Sequence, residues 1–124
     1  MTITTSFGAA QAPIAVRRAY EPPTPADGQR FLVDRLWPRG IKKEKAEIDT
    51  WLKEVAPSTG LRKWFHTGNG TFAEFKKKYL AELKENPALK DLKSLLKEHR
   101  QVTLLYAAKD EEQNHAHILA DLLG

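Results

Sequence analysis

The stretch VDRLWPRG, residues 33–40, gathers side chains that are typical of anion recognition and proton transfer. Arg35 and Arg39 each present a planar fork of donors that suits a phosphate or carboxylate group. Trp37 lies between them and is able to stack on a substrate, and Asp34 is a candidate general base. The pattern predicts a loop that binds an anionic ligand through Arg35, Trp37 and Arg39, with Asp34 handling protons.

The same residues also fit a structural interpretation. Asp34 would then pair with an arginine of its own loop, and Trp37 would pack that loop onto the core. The breakers Pro38 and Gly40 would make the turn. The sequence leaves both interpretations open, although Arg39, on a loop that ends in glycine, favours ligand contact.

A second charged segment, KDEEQNH at residues 109–115, offers further candidates. Asp110 and Gln113 have the spacing of a capping box, so a helix is predicted to begin here with Asp110 as its N-cap. His115 would lie on the apolar side of the first turn, either as a proton-transfer or anion-binding residue or as a half-buried histidine without a ligand. Asp110 is a candidate for orienting the helix end, and Asn114 for binding substrate.

Arg62 and His66, near the loop HTGNG, are candidate substrate ligands in the same crevice. No metal site is predicted, because the chain lacks cysteine and His115 and His117 would project about 200° apart on a helix. The signatures GxSxG, GxGxxG and GxxxxGK[ST] are absent from the sequence, which gives no support to the enzyme classes that depend on them. The sequence specifies no cofactor.

Composition sets the class of protein. The 124 residues suit one domain, predicted over residues 13–124 after a mobile N-terminal arm at residues 1–12. No apolar run reaches the roughly 18 residues of a membrane span, and no secretory signal is present, so a cytoplasmic protein without membrane association is expected. The net charge of +4 and pI near 9.4 permit a nucleic-acid or other anionic partner, but acids are interleaved with the bases.

Hydrophobic periodicity places these segments on elements. Strands are predicted over residues 14–20, 30–36 and 102–108, and the continuous apolarity of the last predicts burial on both faces. Apolar residues at helical spacing predict a helix from Lys43 until Pro57 ends it; they are Ile48, Trp51, Leu52 and Val55. Further helical segments are predicted from a Ser58 or Thr59 cap, from a Thr71–Glu74 capping box to about residue 86, over residues 88–99, and after Lys109.

This order of elements predicts an α/β fold, a small three-layer domain with a mainly parallel sheet of three to four strands flanked by helices. Ligands of such sheets bind in the crevice beyond the carboxyl ends of the strands. Both charged segments follow strands, so they are expected to meet across one crevice.

The motifs VDRLWPRG, WLKEVAPSTGLRKWF and VTLLYAAKDEEQNHA, in this order, resemble the domain of unknown function 488 family in its short YeaO-like branch. The resemblance runs from about residue 14 to residue 124. It implies a compact α/β domain in which Asp34 and Arg35 end one strand and the Asp110–His115 segment follows another. Other branches of the family carry cysteine near the last strand; Tyr106 and Asn114 stand at those positions here, so a thiol or metal role does not carry over.

Two functions fit these residues. One is a small enzyme, a hydrolase or transferase, acting on an anionic small molecule such as a phosphate compound or nucleotide. Its catalytic residues would be Asp34, His115 and Asp110. The alternative is a non-catalytic module that binds nucleic acid or protein. Neither the substrate nor the oligomeric state follows from the sequence.

Overall fold

A computed structural model describes residues 14–124, and the predicted arm at residues 1–12 lies outside this range. Four strands form one sheet in the order β1-β4-β2-β3, and every neighbouring pair is parallel. The strands are β1 (Ala15–Arg18), β2 (Gln29–Leu32), β3 (Thr50–Trp51) and β4 (Val102–Tyr106). The predicted α/β class with a parallel sheet is therefore confirmed.

The α-helices lie between and after the strands, as expected for a parallel sheet. They are α1 (Lys43–Ala46), α2 (Thr59–His66), α3 (Phe72–Lys84), α4 (Ala88–Glu98) and α5 (His115–Leu123). Short 3-10 turns occupy Pro25–Asp27 and Lys53–Val55. The predicted caps of α2 and α3 are confirmed, because Ser58 accepts from the Leu61 amide and Thr71 forms a capping box with Glu74. No helix within residues 14–124 is long and apolar enough to cross a membrane.

The two faces of the sheet bury different clusters. Alternate strand residues such as Phe31 and Leu104 pack into the larger cluster, to which α2 to α5 all contribute. Their neighbours Leu32 and Leu105 pack on the opposite face, beneath Trp37 and other loop residues. All of β4 is buried, as its continuous apolarity predicted.

The helix predicted from Lys43 to Pro57 is wrong beyond its first turn. α1 ends at Ala46, because the φ of +48° at its C-cap Glu47 is left-handed and cannot continue a right-handed helix. The chain then forms β3, which pairs with β2. The helical spacing gave the wrong prediction because these apolar residues do not share one face. Ile48 and Trp51 pack in the smaller cluster, whereas Leu52 and Val55 pack in the larger one.

The last helix also begins later than predicted. Asn114 is its N-cap and accepts from the His117 amide, whereas Asp110 accepts from the Glu112 and Gln113 amides and closes a separate turn. An Asp side chain can make this local turn without starting a helix. The predicted N-cap role of Asp110 is therefore wrong, and α5 starts at His115.

Candidate functional site

The two charged segments meet at the carboxyl ends of β2 and β4, as the topology predicted. Asp34 Oδ2 accepts a hydrogen bond of 2.9 Å from the Ala107 amide, directly after β4. His115 Nε2 lies 2.9 Å from the Val33 carbonyl and 3.1 Å from Asp34 Oδ1. Because a carbonyl oxygen only accepts, Nε2 carries the proton and donates to Val33, while Asp34 Oδ1 has no in-line hydrogen bond within the described residues.

This contact is largely closed to solvent. The His115 and Asp34 side chains are 13% and 15% exposed, and the Tyr79 ring packs edge-on against His115 at 6.2 Å. The Asp34 carbonyl also accepts a 2.7 Å bond from Trp51 Nε1. Asp34 thus ties β2 to the chain after β4 and to β3. Within residues 14–124 it forms no ion pair with an arginine of its own loop, which the structural interpretation had expected.

Arg35 and Trp37 point to other parts of the fold. Arg35 donates to the Ala56 carbonyl at 3.3 Å and lies 3.6 Å from Glu54. Trp37 Nε1 donates to the Ile41 carbonyl at 2.7 Å, and its ring meets Trp51 edge-on at 5.5 Å. Trp37 therefore packs its loop onto the smaller cluster.

Arg39 is the candidate ligand-binding residue of VDRLWPRG whose side chain is left available by the fold. It is exposed, and within residues 14–124 no group pairs with its guanidinium. Its carbonyl accepts a 2.9 Å bond from the Tyr20 hydroxyl, and the guanidinium of Arg18 lies 5.0 Å above the Tyr20 ring. Arg18 also donates to the Ala107 carbonyl, so its guanidinium lies beyond the carboxyl end of β4.

A cleft of about 440 Å³ opens between the segments that follow β1 and β2. We call it the basic cleft; its polar lining includes Tyr20, Glu21, Arg30, Gly40, Lys42 and Lys45. Tyr20 is 44% exposed there, and both lysines are exposed. Arg39 directly precedes Gly40, a residue of the lining, in the sequence.

A buried ion network supports the floor of this cleft. Arg30 donates at 2.5 Å to Asp27, and its other nitrogens reach the carbonyls of Ala46 and Glu47 at the end of α1. Arg17 binds the same carboxylate at 2.8 Å. Burial alone would raise the pKa of Asp27, but hydrogen bonds from Thr24, Arg17 and Arg30 lower that pKa to about 2.

The remaining predicted site residues do not join the Asp34–His115 contact. Asn114 is buried, and its side-chain nitrogen donates a hydrogen bond of 3.0 Å to the Asp110 carbonyl. Arg62 donates to Thr59 at 3.4 Å and has a buried Nε without a partner in the described range. His66 is exposed beside Phe65, with ring centroids 6.3 Å apart. Within residues 14–124, no three acidic or histidine side chains gather in a way that could hold a metal ion.

Sequence reasoning missed the cleft and the network beneath it. Tyr20 sits at the end of a predicted strand, Lys42 precedes the helix predicted from Lys43, and Lys45 lies in its first turn. The available signal was the run RGIKKEK, in which three lysines follow Gly40 within five residues.

The geometry defines a small parallel α/β domain in which a closed Asp34–His115 contact adjoins an open basic cleft. A family model described as the inactive DUF488-N3 subclade matches residues 13–124, and the chain belongs to this DUF488 family. It is similar to the uncharacterised protein YeaO of Escherichia coli, with 47% identity over 110 residues, 89% of this chain and 96% of YeaO. The suspected YeaO-like resemblance is therefore confirmed.

Two mycobacterial proteins are similar at a lower identity. The uncharacterised proteins Mb3100c of Mycobacterium bovis and Rv3073c of Mycobacterium tuberculosis are each 43% identical over 111 residues. That alignment covers 90% of this chain and 93% of each relative. No solved structure matches the chain.

Proposed function

We propose that the protein binds an anionic small molecule, carrying a phosphate or carboxylate group, in the basic cleft. The observation that carries the proposal is the convergence of Lys42, Lys45 and an exposed Tyr20 on one cleft. Its volume of about 440 Å³ lies within the range of small-molecule sites. Among the described residues, Glu21 is the one acidic side chain of the lining, against the cations of Arg30, Lys42 and Lys45.

Arg39 and Tyr20 give the cleft its specificity. The unpaired Arg39 guanidinium offers the bidentate geometry that suits phosphate and carboxylate oxygens. The Tyr20 ring offers an apolar surface beside these charges, against which a planar part of the ligand would stack. A nucleotide combines both features, and it is the ligand class that this arrangement favours.

We assign Asp34 and His115 to the fold rather than to proton transfer. The proton on His115 Nε2 is held by the Val33 carbonyl, and Asp34 Oδ2 is occupied by the Ala107 amide. A general base must reach the proton it abstracts, and these two side chains are mostly buried. The description of the matching subclade as inactive agrees with binding without catalysis.

A thermal-shift screen tests this proposal. Inorganic pyrophosphate, nucleoside phosphates, dicarboxylates and a single-stranded oligonucleotide are each added to the wild type and to two double variants. Lys42→Gln/Lys45→Gln should lose the ligand-induced shift, while Lys76→Gln/Lys77→Gln, with the same charge change on exposed positions of α3, should keep it.

Each outcome separates the alternatives. Both variants should melt within a few degrees of the wild type without ligand, because exposed substitutions change stability by roughly 0.5 kcal/mol or less. Stabilisation by the oligonucleotide alone, weakening steeply with salt, would replace the small-molecule proposal by nucleic-acid binding. Equal ligand shifts in both double variants would contradict the assignment of the cleft.

A further inference from the structure

A second cavity lies among the helices, and its lining shares no residue with that of the basic cleft. It is a groove of about 680 Å³ between the end of α3, the start of α4 and the end of α5. We call it the leucine groove after the side chains that line it: Leu80, Leu83, Leu89, Leu122 and Leu123. Leu122 is 46% exposed, so the groove presents apolar surface to solvent.

The edges of the leucine groove carry an uneven charge. Lys84, Lys90 and Lys93 line it, against a single acid within residues 14–124, Glu85. All four of these side chains are exposed. An apolar floor with a polar rim is the general anatomy of a protein interaction site. Because lysines predominate on this rim, it suits a partner with negative charge.

We propose that the leucine groove binds an acidic amphipathic helix of a partner protein. Such a helix lays apolar side chains at positions i, i+3, i+4 and i+7 into a groove between helices. Glutamate or aspartate on its flanks would then meet the lysines of the rim, which fixes both orientation and choice of partner. The groove shares no residue with the basic cleft, so this inference stands independently of the proposed ligand.

Fluorescence anisotropy with synthetic peptides tests the proposal on the whole chain. The probe is a labelled helical peptide with leucines at the four spaced positions and glutamates on its flanks. A matched peptide has the same leucines with lysines in place of the glutamates. The acidic peptide should bind with saturation, and the basic peptide should not.

Variants locate the binding. Lys90→Glu/Lys93→Glu should bind the acidic peptide at least about tenfold more weakly than the wild type does, and it should bind the basic peptide more tightly. Lys76→Glu/Lys77→Glu, with the same change in net charge on α3, should bind like the wild type. Leu122→Ala should also weaken binding of the acidic peptide. Because Leu122 is 46% exposed, this variant should keep the melting temperature of the wild type, and the loss is then due to the missing contact.

Four results would overturn the inference. These are no saturable binding of the acidic peptide, equal binding of both peptides, equal loss in the two lysine variants, and wild-type self-association that Leu122→Ala abolishes. The last would make a second copy of the chain the occupant. If the first of these results is found and a fluorescent fatty-acid probe does bind with saturation, the occupant is a lipid.

Discussion

Replacing Asp27 by Asn should destabilise the protein strongly while leaving the shape of the side chain unchanged. Asp27 and its partner Arg30 are each 4% exposed, so the substitution leaves a buried guanidinium without its counter-charge. Removing one partner of a buried ion pair costs about 3–5 kcal/mol. The depressed pKa gives a similar scale: a fall from 3.8 to about 2 corresponds to roughly 2 kcal/mol of folding free energy.

Urea denaturation of the wild type and of Asp27→Asn at several pH values measures this effect. Since folding lowers the pKa of Asp27, its contribution is fully present above the unfolded value of 3.8 and is lost as pH falls toward about 2. The difference in unfolding free energy between the two proteins should therefore shrink over that interval. The double variant Asp27→Asn/Arg30→Met should be more stable than the sum of its single changes predicts.

Arg17→Met is the matched control, because this arginine binds the same carboxylate but is 24% exposed. It should cost about 1 kcal/mol or less, as expected for a solvent-accessible ion pair. A loss below about 1 kcal/mol for Asp27→Asn, or a pH-independent difference from the wild type, would refute the reasoning about the buried network.

Three smaller perturbations test other parts of the structure. Asp34→Ala removes the acceptor of the Ala107 amide and should cost about 2 kcal/mol in urea denaturation, with Asp34→Asn costing less; equal losses would contradict the bond. Gly28→Ala puts a methyl group 2.2 Å from the Gln101 carbonyl at a φ of +63°, so the melting temperature should fall by several degrees, and an unchanged value would disprove this turn. Glu47→Gly relieves a left-handed residue and should raise the unfolding free energy by up to about 1 kcal/mol; a clear loss would speak against the conformation that ends α1.

The fold followed from the sequence wherever the signal for an element lies within its own segment of the chain. β4 and the caps of α2 and α3 could be predicted, because continuous apolarity and capping residues act locally. The segment after α1 could not, since its apolar residues serve both faces of the sheet and imitate a helical period. β3 forms because residues 50–51 pair with residues 31–32 of β2, which are distant in the sequence.

The site was predictable in part for the same reason. Parallel strands bring their carboxyl ends together, and so Asp34 and His115 could be placed near each other before the structure was seen. Their hydrogen bonds to Val33 and Ala107 were not predictable from the sequence. These bonds occupy the groups that proton transfer would need, and they are the reason for our assignment of both residues to the fold. The basic cleft was missed because loop geometry, rather than periodicity, brings Tyr20 toward Lys42.

An amide NMR titration of the wild type with inorganic pyrophosphate tests the central claim most directly. Binding in the basic cleft should shift the amide signals of residues 19–21 and 39–46 first, with saturation at a common affinity. The amides of residues 109–115 should move little. Saturable shifts centred on residues 109–115, or shifts spread over lysines throughout the chain, would contradict the assignment of an anion site to the basic cleft.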